Sequence, residues 1–208
     1  MTRALVHWAL ILALGWTIQK ANLSAQSIRQ GPRTLPLEMQ RAGRWVPDLS
    51  FVSIDGERGK LSDYEKKNAL VIAFVGASCP LSKKFAPTLA ALEREWAKKD
   101  VSFIFVDPIS TESTNLKLRE MVGRLGFQGP VVQDKTKALA KGLAATTTTE
   151  VFLLDSARTI LYHGPVDDQY GIGYQIEAPR NQYLQTALRD HLQGRKTRIT
   201  SLWAPGCE

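Results

Sequence analysis

Residues 71–96, VIAFVGASCPLSKKFAPTLAALEREW, join an apolar run to an amphipathic segment through a single cysteine, Cys79. The run over residues 69–75 has the length and the unbroken apolar character of a strand buried on both faces. After the cysteine, one stripe of a helix collects the large apolar side chains, namely Phe85, Leu89, Leu92 and Trp96. The stretch therefore predicts a buried strand, a short connection with Cys79, and a helix that begins directly afterwards.

This placement, at the start of a helix, favours the thiolate form of Cys79. At the start of a helix, unpaired backbone N–H groups and the positive end of the helix dipole stabilise a thiolate, which is the nucleophilic form of cysteine. Pro80 suits the first helical turn, and Lys83 and Lys84 add positive potential nearby. A buried free cysteine can also serve as a small inert apolar residue. The position between strand and helix favours a redox-active thiol.

Further strands and helices alternate along the chain on both sides of this stretch. Residues 49–54 predict a short strand before it, and a second buried strand, a helix and a short strand follow it. A hairpin and a closing helix complete the pattern, over residues 150–155, 158–164 and 181–194. Strands that alternate with helices and end in a hairpin favour an α/β fold with a central mixed sheet.

The motif SCPLSKKFAP between strand and helix resembles the thioredoxin superfamily. Its dithiol members carry Cys-x-x-Cys at this helix start and a proline eight residues after the first cysteine; here those places hold Cys79, Ser82 and Pro87. Residues 46–194 are most similar to the peroxiredoxin-like, redoxin branch and its exported thiol–disulfide group. The resemblance implies a thioredoxin-like fold, a central mixed sheet flanked by helices.

The same resemblance implies a function. It suggests a thiol–disulfide oxidoreductase that acts on a thiol or disulfide protein partner. Reduction of a small hydroperoxide, an antioxidant activity, would be a variant of the same chemistry. Neither reaction would need a cofactor or a metal. Cys79 would attack as the thiolate, Ser78, Pro80 and Ser82 would line the site, and Thr149 would flank it from the neighbouring strand. Trp45 or Trp203 could cover it.

The sequence departs from the peroxidases of this branch at several places. They carry threonine or serine three residues before the reactive cysteine, where this chain has Gly76, and proline four residues earlier, where it has Ile72. No arginine precedes the later strand, and Thr149 stands at the place of the superfamily's cis-proline. Peroxide reduction needs hydrogen-bond donors at such places, whereas thiol exchange needs only an accessible thiolate.

The tail over residues 195–208 carries the second cysteine, Cys207. Three roles stay open for it. Cys207 could resolve a sulfenic acid or mixed disulfide on Cys79. It could form a permanent disulfide with Cys79, which in the chain-entropy model would stabilise the fold by about 4 to 5 kcal/mol. It could also stay unpaired or pair with another molecule.

Two rival functions do not use an exchange reaction. Copper carriage would employ Cys79 and Cys207 with His163 or His191, because sulfur and imidazole suit copper. The paired cysteine spacing of known copper carriers is missing, however. A catalytically degenerate domain that only binds a partner is the second rival.

The N-terminal residues suggest export. Residues 1–25 combine Arg3, an apolar run shorter than a spanning helix and a small-residue stretch, which is the layout of a signal peptide. Residues 26–45 are polar and predict a linker or irregular arm. The protein would be periplasmic or secreted, and it would be tied to a membrane only if the segment stays uncleaved. The net charge of +7 comes without a nucleic-acid motif, so nucleic acid is not an expected partner.

Overall fold

The computed structural model describes residues 29–108 and 115–208. In chain order the strands are β1 (Arg33–Thr34), β2 (Ser50–Val52), β3 (Arg58–Lys60), β4 (Ala69–Phe74), β5 (Val101–Asp107), β6 (Val131–Gln133), β7 (Val151–Leu154), β8 (Ile160–Gly164), β9 (Tyr170–Gly171), β10 (Tyr174–Gln175) and β11 (Leu202–Trp203). The α-helices are α1 (Pro80–Ala97), α2 (Asn115–Leu125), α3 (Ala138–Leu143) and α4 (Tyr183–Leu192). Short 3-10 helices lie at Leu37–Met39 and Leu61–Tyr64.

Five strands form the central sheet, in the spatial order β6-β5-β4-β7-β8. The strands β6, β5 and β4 run parallel, while β7 and β8 run antiparallel to their neighbours. The predicted mixed sheet flanked by helices is therefore confirmed. The strand that precedes Cys79, β4, lies at its centre and is buried along its whole length.

Both faces of β4 pack into a core, which explains its unbroken apolar sequence. Val71 and Ala73 point into a core with α1, α2 and α4, whereas Leu70 and Ile72 point into a second core with α3 and the segment around Phe51. The stripe predicted for α1 is confirmed, since its apolar members are all buried, namely Phe85, Leu89, Leu92 and Trp96.

The direction of the strands decides which segments meet Cys79. The C-terminal end of β4 and the N-terminal end of β7 lie at the same edge of the sheet, because these two neighbours are antiparallel. There the Phe74 N–H donates a hydrogen bond to the Glu150 carbonyl at 2.8 Å. The connection over residues 76–79 is thereby brought beside the threonine-rich turn over residues 146–149.

The arm and the tail are ordered together along the β8 side of the sheet. β1 of the arm pairs with β11 of the tail in a two-stranded antiparallel sheet, and the His163 N–H of β8 donates to the Thr200 carbonyl at 2.9 Å. Within the described residues, the predicted arm is thus paired with the tail, although most of its side chains are exposed. Its position directs the tail towards the edge of the sheet where Cys79 lies.

The small elements before β4 largely follow the sequence pattern. The sequence DGERG predicts a turn over residues 55–59, and a turn does join β2 to β3, where the Gly56 N–H donates to the Ser53 carbonyl at 3.0 Å. The last two residues of the predicted turn belong to β3. The helical turn that the sequence predicts at residues 61–67 is present as the 3-10 helix Leu61–Tyr64. The predicted signal peptide, residues 1–25, lies outside the described residues. Among the residues that are described, no helix is long and apolar enough to cross a membrane.

Candidate active site

Cys79 caps the N-terminus of α1, as the sequence predicts. Its N–H donates to the Gly76 carbonyl at 3.1 Å, and its own carbonyl accepts the first helical hydrogen bond, from the Lys83 N–H at 3.0 Å. Pro80 is the first helical residue, where its missing N–H leaves no bond unmade. The cysteine is only 2% exposed. Its thiol is therefore held rigidly at the positive end of a helix of 18 residues.

The tail brings the second cysteine to the first. Both residues are thiols in the structure, and the Cys207 Sγ donates a hydrogen bond to the Cys79 Sγ across 2.8 Å. The two sulfurs are close enough to form a disulfide after a small movement of the tail. Of the three roles left open for Cys207, the two that involve Cys79 agree with this geometry.

Three successive threonines hold the tail in place, and we call Thr147–Thr149 the threonine strip. The hydroxyls of Thr147 and Thr149 donate to the carbonyls of Ala204 and Pro205, at 3.0 and 2.7 Å. The Thr148 N–H donates to the Cys207 carbonyl at 2.9 Å, and its hydroxyl oxygen accepts from the Cys207 N–H at 3.2 Å. Four hydrogen bonds thus tie the strip to the tail backbone.

The surroundings of Cys79 favour its thiolate. Burial raises the pKa of Cys79, but several donors oppose this effect, namely the Cys207 thiol, the Thr148 hydroxyl and the N–H groups of Ser82 and Cys207. The hydrogen bonds outweigh burial, so the pKa of Cys79 lies below its ordinary value. A lower pKa raises the fraction of Cys79 that is thiolate, the nucleophilic form, at neutral pH.

The residues predicted to line the site take different positions. Ser82 is buried, and its hydroxyl oxygen accepts the Gly76 N–H at 2.8 Å, which fixes the connection before Cys79. Ser78 Oγ is buried without a hydrogen-bond partner among the described residues, whereas Pro80 is exposed. Ser82 therefore shapes the site, whereas the Ser78 hydroxyl is buried beside it.

Thr149 lies beside the site, but a different threonine reaches the sulfur. The hydroxyl of Thr149 bonds to the tail, while the Thr148 hydroxyl reaches Cys79. A Cβ added to Gly76 would lie 3.1 Å from the Cys79 Cβ and 3.4 Å from the Thr148 Cβ, so the glycine leaves room for this approach. Sequence reasoning missed Thr148, although the run of four threonines over residues 146–149 was a visible signal.

Behind the threonine strip lies a buried acid–histidine pair. One carboxylate oxygen of Glu150 accepts the N–H groups of Thr146 and Thr147, at 2.6 and 3.3 Å. The other lies 3.6 Å from His163 Nδ1, and the two side chains are 4% and 3% exposed. The Arg41 N–H donates to His163 Nε2 at 3.1 Å. The pair therefore links the strip to the arm.

The histidines considered for copper make contacts elsewhere. Both ring nitrogens of His163 face protein groups, and the ring stacks on Phe152 with centroids 5.6 Å apart. His191 hydrogen-bonds the Asn68 carbonyl, next to the N-terminal end of β4 and thus away from Cys79. Across residues 29–108 and 115–208, no group of three or more His, Cys, Asp or Glu side chains is arranged to hold a metal ion. The predicted set of two sulfurs and an imidazole is therefore not assembled among these described residues.

Neither tryptophan considered as a cover contacts Cys79. Trp45 is 55% exposed and bridges Thr159, which lies beyond the opposite end of β7. Trp203 packs under the guanidinium of Arg33, whose carbon lies 4.4 Å from the ring centroid. Both rings thus belong to the arm and its contacts.

An open cleft of about 540 Å³ adjoins the connection that carries Cys79. Ala77 and Ser78 form one wall, and α1 and α2 contribute the remaining lining side chains, namely Lys83, Lys117, Glu120, Met121 and Arg124. Three of these side chains are cationic and one is anionic. The cleft therefore presents net positive charge beside the connection that carries Cys79.

Comparisons with known proteins agree with this fold and site. Residues 41–174 match the family described as Redoxin. A hypothetical protein of Sinorhizobium meliloti is 22% identical over 85% of this chain and 95% of its own, with a TM-score of 0.74. A putative thioredoxin of Neisseria meningitidis is 18% identical, over 71% and 89%, with a TM-score of 0.57. Peroxidoxin BcpB of Mycobacterium tuberculosis is 17% identical, over 75% and 99%, with a TM-score of 0.55.

These structural likenesses confirm the thioredoxin-like fold. They lie below the identity at which a specific activity carries over from one protein to another. Among curated proteins, no sequence matches this chain significantly.

Proposed function

Since this chain belongs to the Redoxin family, we propose that it is a thiol–disulfide oxidoreductase in which Cys79 attacks and Cys207 resolves. Family membership supports a thioredoxin-like redox function, and the use of the two cysteines is our proposal. The observation that carries it is the 2.8 Å hydrogen bond between the two sulfurs at the N-terminus of α1.

The proposed exchange has two displacement steps. The Cys79 thiolate attacks one sulfur of a partner disulfide, and the other partner sulfur leaves as a thiolate. The Cys207 thiolate then attacks Cys79 in this mixed disulfide and releases the second partner thiolate. The partner disulfide gains two electrons, and the cysteine pair is oxidised to a disulfide. An outside thiol then reduces the pair and closes the cycle.

A small hydroperoxide is an alternative oxidant for the same pair. The Cys79 thiolate would attack the terminal oxygen, giving a sulfenic acid and an alcohol or water. Cys207 would then condense with the sulfenic acid and release water. Gly76 lacks the hydroxyl that peroxidases of this branch carry, but the neighbouring Thr148 hydroxyl donates to the Cys79 sulfur.

The proposed location follows from the sequence of residues 1–25. An exported protein would work in an oxidising compartment, where a cysteine pair meets both disulfide partners and oxidants. An outside reductant would then decide whether the pair reduces or oxidises its partners.

The test is a non-reducing peptide map of the reduced protein before and after one equivalent of hydrogen peroxide or of a small aromatic disulfide. We expect a Cys79–Cys207 peptide to form within seconds, and to open with a dithiol reductant. Cys207→Ser should instead stop at a Cys79 adduct, and Cys79→Ser should not react. A cross-link that is present from the start and resists the dithiol would make the bond a permanent staple and contradict the proposal.

A further inference from the structure

The threonine strip contacts the tail through the tail's main chain alone. Its four hydrogen bonds end on the carbonyls of Ala204, Pro205 and Cys207 and on the Cys207 N–H. Main-chain contacts of this kind accept any extended segment whose side chains fit, because the partners are common to all residues. The strip therefore recognises main-chain groups, and the tail segment that occupies it follows β11 and bends at Gly206.

The structure also shows which residue must precede the cysteine. A Cβ built on Gly206 would lie 2.8 Å from Thr149 Oγ1 and 3.0 Å from the Thr147 Cβ. At these distances a side chain would push the threonines aside and break the hydrogen bond from Thr149 to Pro205. The strip thus fits glycine directly before the cysteine and excludes larger residues.

An outside partner needs the place that the tail holds. Cys79 is 2% exposed, and the sulfur of Cys207 lies against its sulfur at 2.8 Å. A cysteine of another polypeptide that reacts with Cys79 must therefore approach where Cys207 lies. The same threonine hydroxyls and N–H would then meet the backbone of the incoming segment.

We propose that Thr147–Thr149 is a binding site for the main chain of a polypeptide segment with a glycine–cysteine pair, and that residues 204–207 occupy it as an internal ligand. This inference rests on the proposed exchange at Cys79 and names the class of its partner. With the tail lifted, the strip aligns the partner's cysteine for attack by Cys79. The partner's second sulfur leaves as a thiolate, as in the exchange described above.

The test measures peptide binding without sulfur chemistry. The probes are the peptide Ser-Leu-Trp-Ala-Pro-Gly-Ser-Glu and its counterpart with valine in place of glycine. The proteins are full-length Cys207→Ser, in which the tail stays seated, and full-length Gly206→Val with Cys207→Ser, in which the clash lifts the tail. Titration calorimetry follows binding, and iodoacetamide alkylation of Cys79 shows whether the tail has left.

We expect the tail-lifted protein to be alkylated faster and to bind the glycine peptide at least about tenfold more tightly than the valine peptide. The Cys207→Ser protein should bind both weakly, since its own tail competes at an effective concentration on the order of millimolar. Replacing Thr147 and Thr149 by valine in the tail-lifted protein should weaken glycine-peptide binding by about tenfold.

Several results would overturn the inference: unchanged alkylation, equal affinity for both peptides, or no binding by the tail-lifted protein. If Gly206→Val impairs folding, Gly206→Ala brings only the Cβ and serves as the milder variant. The proposed function is measured separately, by reaction of Cys79 with a small aromatic disulfide that makes no use of the strip. If Cys79 exchanges with the aromatic disulfide but the protein binds both peptides equally, the proposed peptide site is wrong and the proposed exchange reaction stands. If the protein binds the glycine peptide selectively but Cys79 does not exchange, the proposed exchange reaction is wrong.

Discussion

The sulfur of Cys207 lies 2.8 Å from that of Cys79, although 128 positions of the chain separate the two residues. The contact depends on three separate pairings of the tail, with the arm, with β8 and with the threonine strip. A disulfide between residues so far apart closes a long loop and removes much of the entropy of the unfolded chain.

Oxidation of the pair should therefore stabilise the protein. In the chain-entropy model a loop of this length corresponds to at most about 5 kcal/mol in the free energy of unfolding. Thermal unfolding of the wild-type protein should shift upward on oxidation, while Cys207→Ser should melt at the same temperature with and without oxidant. Equal melting of oxidised and reduced wild type would mean that the pair does not form the disulfide.

Thr148→Val should destabilise the thiolate form of Cys79. The substitution keeps the shape of the side chain but removes the hydroxyl that donates to the sulfur, so the pKa of Cys79 should rise towards its ordinary value. The Thr148 hydroxyl also accepts the Cys207 N–H, so the absolute alkylation rate would report the tail as well as the thiol. We therefore expect the midpoint of the pH profile of iodoacetamide alkylation to move upward. Thr186→Val, on the exposed face of α4, is the matched control and should leave the midpoint unchanged. Equal midpoints in the two variants would show that the Thr148 hydroxyl does not stabilise the thiolate.

The local part of the site could be predicted from sequence. The strand, the cysteine and the helix are contiguous, and each is specified by short-range patterns: an apolar run, a proline at the helix start and a buried stripe. Such patterns identify an element together with the residue that joins it to the next. They placed Cys79 at the N-terminus of α1 without knowledge of the rest of the fold.

The distant part of the site could not be predicted in this way. Thr148 and Cys207 meet Cys79 only because β7 is antiparallel to β4 and because the tail pairs with the arm. Register and pairing between distant segments leave no periodic signal in a short stretch. Within the run of four threonines the resemblance pointed to Thr149, and only the three-dimensional register shows that Thr148 is the one that reaches the sulfur.

Asp167 should make stability depend on pH. Burial raises the pKa of this carboxyl from its ordinary value to about 6. Between the unfolded and the folded pKa, the folded protein binds more protons than the unfolded chain. The contribution to stability is therefore fully present below pH 3.8 and is lost as the pH rises through about 6. Its size is on the order of 2 to 3 kcal/mol.

Asp167→Asn should remove this loss, because the amide stays neutral at every pH. Urea unfolding at pH 4.5, 5.5, 6.5 and 7.5 (about one unit apart) would give the slope for each variant. Asp100→Asn is the control, since this exposed aspartate has a positive φ that asparagine tolerates well. A wild-type and an Asp167→Asn protein with the same slope would show that Asp167 titrates normally.

His163 should hold the arm in place and, through Glu150, the threonine strip. Because Nε2 accepts the Arg41 N–H, the ring carries its proton on Nδ1, which faces Glu150. His163→Ala would leave the Glu150 carboxylate and the Arg41 N–H buried without these partners. We expect a loss of about 2 to 4 kcal/mol in the free energy of unfolding. The loosened strip should also release the tail and speed alkylation of Cys79.

Two variants separate this role from general destabilisation. His163→Gln keeps an acceptor for the Arg41 N–H and a donor for Glu150, so it should recover part of the stability and slow alkylation again. Lys67→Ala breaks an ion pair with Asp100 whose side chains are 43% and 49% exposed, and it should cost no more than about 1 kcal/mol. If His163→Ala unfolds no more easily than Lys67→Ala and leaves the alkylation rate unchanged, the pair does not support the site.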